Sequence, residues 1–175
     1  MKERRAPKKL NVEELSAYAS RLLSMRAMSM GEVREKLKRR CEDPADIETV
    51  IGKLREYGYL NDVSFAENFA ASRRDSQGFG KQRVLRELRV RRVAPGLAEK
   101  TVSDAFASLD ESAMIETFLE RKFRNVNLGE HLKDEKRLAA AYRKLRYAGF
   151  AAGPAIRVLK KYVARADELI DESAD

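Results

Sequence analysis

The chain has 175 residues, of which 37% are charged and 43% hydrophobic, with a net charge of +8. That length bounds it to one domain or a short array of small units, and the positive excess favours polyanionic or acidic partners without proving nucleic-acid binding. A single cysteine, Cys41, excludes an intrachain disulfide; no apolar run nears the roughly 20 residues that span a bilayer, and none follows the basic opening to make a secretory signal, so a reducing, cytoplasmic setting is expected.

Residues 1–10 are charged and read as a flexible basic N-terminus. Asn11 is placed to cap a helix carrying Leu15, Tyr18, Ala19, Leu22 and Leu23 at core spacing. Ser29-Met30-Gly31-Glu32 fits a capping box, in which the Ser side chain takes an early N–H and the Glu reaches back. Val33 and Leu37 follow on one face, with Arg34, Lys38 and Arg39 away from it. Asp43-Pro44 opens a third helix, because Pro is tolerated in the first turn. Ile47, Val50, Ile51 and Leu54 make its stripe, and Tyr57-Gly58-Tyr59-Leu60 closes it.

Asn61 or Asp62 caps the next helix, whose buried stripe is Phe65, Ala66, Phe69 and Ala70. Gly78-Phe79-Gly80 breaks the pattern. The helix after it sets Val84, Leu85 and Leu88 on one side and Arg83, Arg86 and Arg89 roughly opposite. The same order has now appeared twice. Pro44 and Pro95 lie 51 residues apart, as do Leu37 and Leu88, Val33 and Val84, Met28 and Phe79, and Tyr18 and Phe69. A gap-free shift that matches apolar with apolar and Pro with Pro signals an internal repeat.

A third copy is less regular. Met114, Ile115, Phe118 and Leu119 form its first helix, 125–132 is expected as a loop, and Leu138, Ala141, Tyr142 and Leu145 make the second stripe. Gly149-Phe150 ends that helix, and Gly153-Pro154 opens the last, with Ile156, Leu159 and Val163. Leu145 follows Leu88 by 57 residues, so this copy carries an insertion. Residues 166–175 form an acidic tail. No segment alternates with period two, so no sheet is expected. The predicted fold is all-α, an elongated tandem array of three three-helix repeats over 11–60, 61–109 and 110–165. A unit of about 50 residues buries little core alone, and stacking neighbours adds burial.

The middle helix of each repeat is basic on its outward side: Arg34, Lys38 and Arg39; then Arg83, Arg86 and Arg89, preceded by Arg73 and Arg74; then Lys136, Arg137, Arg143 and Lys144. In register they form a discontinuous stripe suited to a polyanion, since each neutralised phosphate also releases counterions. The ordinary alternative is a solvated helix face. Gly78-Phe79-Gly80-Lys81 lacks the preceding strand and the Gly-Lys-Ser/Thr ending of a phosphate loop, and reads as a turn with Phe79 inward. Cys41 and His131, one of each, exclude an ordinary zinc site within the chain; a Cys–His nucleophile pair is not expected, because the two fall in separate predicted loops with nothing to bring them together. No carboxylate pair stands out as an acid–base couple, so no cofactor and no catalysis are expected. The spacing of Tyr57, Tyr59 and Phe65 places them in the core; stacking on bases would require exposure.

Three segments in order, G-Y-L-N-D (58–62), F-A-E-N-F-A-A-S-R (65–73) and G-F-G-K-Q-R-V-L-R-E-L (78–88), resemble the central signature of the RecX family, regulators of the RecA recombinase. The likeness extends more weakly over 15–163. It implies tandem three-helix units that lie along the groove of the RecA–DNA filament. Inhibition of RecA ATPase, strand exchange and co-protease activity would follow, and with it control of DNA repair, homologous recombination and the SOS response. By the same resemblance Tyr57, Gly58, Tyr59, Leu60, Asp62, Phe65, Phe69, Gly78, Gly80 and Leu88 are mainly structural, alongside Phe79. Arg73, Arg74, Lys81, Arg83 and Arg86 lie in or beside the motif as contact candidates; Arg34, Lys38, Arg39, Arg89, Arg143 and Lys144 join them from the basic faces. The implied partners are the RecA filament and single- or double-stranded DNA, bound weakly or through RecA, by a monomer with no membrane attachment. Two departures stand out: Cys41-Glu42 replaces a Gly-aromatic pair in the first unit, and the third unit diverges. An autonomous helix-turn-helix DNA-binding protein, recognisable by sequence-dependent duplex affinity, stays open.

Overall fold

The computed structural model describes residues 9–172; most of the basic N-terminus (1–8) and the end of the acidic tail (173–175) lie outside it. Regular structure within that range is helical: α1 (Val12–Met25), α2 (Met30–Lys38), α3 (Pro44–Glu56), α4 (Asp62–Asp75), α5 (Lys81–Val90), α6 (Pro95–Phe106), α7 (Glu111–Lys122), α8 (Leu128–Leu132), α9 (Glu135–Ala148) and α10 (Ala152–Glu172). The three repeats are α1–α3, α4–α6 and α7–α10. None of these helices is long and apolar enough to cross a membrane.

Local chemistry sets the helix starts. Asn11 and Glu14 close a capping box on α1, and Ser29 and Glu32 close one on α2. Asp43 caps α3 with Pro44 at its first position. Asn61 caps α4, accepting the N–H groups of Val63 (3.0 Å) and Ser64 (3.1 Å). Asp62 does something else: it is 8% exposed and accepts the Met30 N–H at 2.7 Å, so it caps α2 from another helix.

At the end of α3, Gly58 adopts φ 75°. The N–H groups of Tyr59 (2.8 Å) and Leu60 (3.1 Å) then both return to the Leu54 carbonyl. Only Leu60 turns inward. Tyr57 and Tyr59 are 70% and 68% exposed, against the expectation of core positions. The turn has one inward place to fill, and Leu60 fills it.

The chain divides into two compact units, Met1–Phe69 with Glu87–Thr101, and Ala70–Arg86 with Val102–Asp175. The division passes through α4, α5 and α6, so the second repeat contributes to both. In unit 1, Leu15, Ala19, Val33, Leu37, Val50, Ile51 and Leu54 form a buried cluster. In unit 2 the cluster is Ile115, Phe118, Leu119, Leu128, Leu132, Leu145 and Phe150, with Phe118 edge-on to Phe150 at 5.6 Å.

One expectation about the third repeat changes. The predicted loop at 125–132 contains α8, capped by Asn127, because Leu128 and Leu132 sit four apart and both bury. The extra residues of this copy thus become a helical plug rather than a loop. At the other end, the part of the acidic tail within the described residues, 166–172, continues α10 as helix.

One joint occurs in each unit, built the same way. In unit 1 the Ser29 hydroxyl, at the start of α2, donates to the Arg91 carbonyl just past α5. In unit 2 the Gly80 N–H, at the start of α5, donates to the Ala148 carbonyl at the end of α9 (2.8 Å), and Gln82 N–H donates to Gly149 O (3.1 Å). The beginning of one middle helix thus docks on the end of the next repeat's middle helix. Left-handed residues mark both ends, Arg92 (φ 58°) and Gly149 (φ 95°). A missing β-carbon makes each approach possible: Gly31 faces the Arg92 backbone in the first joint, and Gly149 faces the Arg83 backbone in the second. Arg40 is the corresponding position of repeat 1. Its carbonyl accepts the Leu10 N–H at 2.8 Å, and Leu10 forms an isolated bridge to Cys41.

Candidate functional site

The predicted cations divide by what backs them. In unit 1 the backing is carboxylate. Arg34 on α2 grips Glu48 of α3 through two bonds of 2.7 and 3.0 Å. These bonds hold the Glu48 carboxyl below its ordinary range and raise Arg34 further. Arg39 lies 3.7 Å from Glu35, and Arg89 of α5 lies 2.8 Å from Glu99 of α6. Lys38 is exposed. A polyanion meeting Arg34 or Arg89 competes with a partner already in place.

In unit 2 two of the candidates lie against aromatic rings. The Arg83 guanidinium lies 3.6 Å from the centre of the Phe79 ring and 4.8 Å from that of Tyr147. The Lys144 ammonium lies 4.9 Å from the Phe123 ring. A ring, unlike a carboxylate, brings no opposite charge of its own. Lys81, Arg86 and Arg143 are exposed. Arg86 follows Arg83 by one turn of α5, and Arg143 precedes Tyr147 by one turn of α9. The start of α5 meets the end of α9 where Arg83 lies against Tyr147. Lys81, Arg83 and Arg86 thus belong to α5 and Arg143 and Lys144 to α9, with Tyr147 (70% exposed) at the place where the two helices meet.

Two other candidates are occupied by the fold. Arg74 donates to both oxygens of Asp75 (2.6 and 2.9 Å) and to the Ala105 carbonyl of α6 (2.6 Å). Its guanidinium holds Asp75 below the ordinary carboxylate range. Arg73 is half-buried, and its carbonyl accepts the Phe79 N–H at 3.1 Å. Both tie the α4–α5 connection down.

Sequence patterning missed Tyr147, because an aromatic at a helix end is more often core than surface. It also missed the Glu32 cluster of unit 1. Glu32, with its side chain 13% exposed, accepts from Arg26 (2.9 Å) and Arg91 (2.9 Å). Burial pushes its carboxyl up, but the bonds from Arg26 and Arg91 outweigh that and hold it below the ordinary range. Among the described residues no group of three or more His, Cys, Asp or Glu side chains is disposed to hold a metal ion.

Comparison with known proteins identifies the fold and the family of similar chains. The family model "RecX, first three-helix domain" matches residues 17–54, and "RecX, second three-helix domain" matches 61–102. The regulatory protein RecX of Halorhodospira halophila is 38% identical over 111 residues, 63% of this chain and 67% of that one. That of Deinococcus radiodurans is 42% identical over 90 residues, 51% of this chain, and the match spans 42% of that relative's length. The crystal structure of RecX from Lactobacillus salivarius matches with a TM-score of 0.67, over 86% of this chain and 96% of that one, at 19% identity, a likeness of fold.

Proposed function

Because the chain belongs to the RecX family of regulatory proteins, we propose that it binds the RecA–DNA filament and inhibits RecA ATPase, strand exchange and co-protease activity. In that role it modulates DNA repair and recombination as a cytoplasmic monomer. The observation that supports a polyanionic or acidic binding track lies in unit 2, where Lys81, Arg86, Arg143 and Lys144 are exposed and the Lys144 ammonium lies over the Phe123 ring. Weak contacts on tandem repeats act together, since each one made raises the effective concentration of the next. A clamp across successive filament subunits holds one filament state and slows a cycle that needs subunits to move.

The test is RecA ATPase on single-stranded DNA, titrated with the wild-type chain and with the Arg86→Ala plus Arg143→Ala variant over a salt series. Wild type is expected to inhibit below stoichiometric amounts, and the variant to inhibit less, with a flatter salt dependence. Equal inhibition by both proteins at every salt concentration would reject these cations as the contact.

A further inference from the structure

Unit 2 carries a cleft of about 540 Å³ that the reading above does not use. Ser76 and Gln77, just past α4, form one wall, and Arg121, Lys122 and Arg124, at the end of α7, form the other. Phe118 and Glu120 complete the lining. Cations near a helix C-terminus have an ordinary use, since they complement the last carbonyls. Here three of them open onto one cavity, against a single carboxylate.

The geometry is prearranged. Arg121 Nη2 donates to the Ser76 carbonyl at 3.1 Å, which fixes the guanidinium across the cleft. Its Nη1 lies 3.6 Å from where a β-carbon at Gly78 would stand, so the guanidinium also packs beside the Gly78 backbone. The Lys122 ammonium lies 5.8 Å from the Phe118 ring, and Arg124 is exposed. A cavity of this size is that of a small-ligand site. Arginine forks match the oxygens of a phosphate, and Ser76 and Gln77 add neutral hydrogen-bonding groups. Phe118 is 6% exposed and offers no free ring face, so a base is not gripped and recognition falls on the phosphate.

We propose that this cleft binds phosphate groups through Arg121, Lys122 and Arg124. The phosphate can come from a nucleic-acid strand or from the polyphosphate of a free nucleotide. The test is fluorescence anisotropy with the full chain and no RecA, using a labelled oligothymidylate in one arm and a labelled ATP in the other. The Lys122→Gln plus Arg124→Gln variant leaves the Arg121–Ser76 bond in place. Arg21→Gln plus Lys53→Gln, two exposed cations in unit 1, removes equal charge as a control.

If the strand is the source, losing two phosphate contacts lowers affinity roughly twentyfold at about 0.1 M salt and makes the log–log salt slope shallower by about 1.4. The control changes both less. If only ATP affinity falls in the cleft variant, the cleft is a nucleotide-phosphate site. If the cleft variant and the control behave alike in both arms, the proposal is overturned. Since RecA is absent, this outcome is separate from that of the ATPase titration.

Discussion

Gly149→Ala tests the joint on which unit 2 depends. Gly149 has φ 95°, a conformation that costs an L-residue about 1–2 kcal/mol. A β-carbon there would stand 2.9 Å from Arg83 Cα and closer still to Arg83 N and Cβ. These are backbone-level atoms that no rotamer can move, so the start of α5 must retreat. Retreat breaks Gly80 N–H to Ala148 O (2.8 Å) and Gln82 N–H to Gly149 O (3.1 Å). At a net value of about 1 kcal/mol each, the total comes to about 3–4 kcal/mol. Two other glycines separate the terms. Gly58 shares the left-handed backbone (φ 75°) but has nothing within 4 Å of its would-be β-carbon, so Gly58→Ala costs only the backbone part, about 1–2 kcal/mol. Gly52, inside α3 with open space around it, gains about 0.5–1 kcal/mol on change to Ala. Urea unfolding followed by far-UV circular dichroism should rank the midpoints Gly52→Ala, wild type, Gly58→Ala and then Gly149→Ala. The reasoning fails if Gly149→Ala costs no more than Gly58→Ala, for the close approach would then carry no energy.

Asp62→Ala removes the acceptor of the Met30 N–H and is expected to cost about 1–2 kcal/mol. Asp62→Asn, which keeps an oxygen, should cost less, and hydrogen exchange at Met30 should speed up in the Ala variant; unchanged exchange there contradicts the assignment. Glu32→Gln breaks the Arg26–Glu32–Arg91 cluster and should cost about 1–3 kcal/mol at neutral pH. The Glu32 carboxyl is held lower in the folded chain than in the unfolded one. Its contribution is therefore full above the ordinary glutamate range and is lost as pH falls through the lowered folded value. Wild-type and Glu32→Gln urea midpoints should converge in acid, and a gap that persists there argues against the linkage.

Periodicity and capping chemistry made the helices legible. Asn11, Ser29 and Asp43 cap where the sequence placed caps, and the shift from Pro44 to Pro95 reports two repeats with one helix order. Long-range contacts left no such trace. Nothing local says that Ser29 meets Arg91 or that Gly80 meets Ala148, because each pair is far apart in sequence and neither belongs to a stripe. The sign of a side chain was visible, but its partner was not. Arg34 and Arg86 look alike on a helical wheel, yet one is clasped by Glu48 and the other faces solvent. Arg83 reads as a contact cation, and the structure lays it between two rings. Leu128 and Leu132 were missed as a helix because five residues are too few for a periodic signal.

The place of Leu10 bears on how such a chain can grow. Each middle helix ends in a socket that accepts the opening of the module before it, and in the first repeat Leu10 already occupies that socket. A module grafted ahead of Val12 must evict Leu10 and supply its own Ser29-like or Gly80-like entry. One spliced between existing modules inherits a matching plug and socket on either side. Insertion or loss in the interior therefore disturbs nearest neighbours alone, while extension across Leu10 begins by undoing a seal.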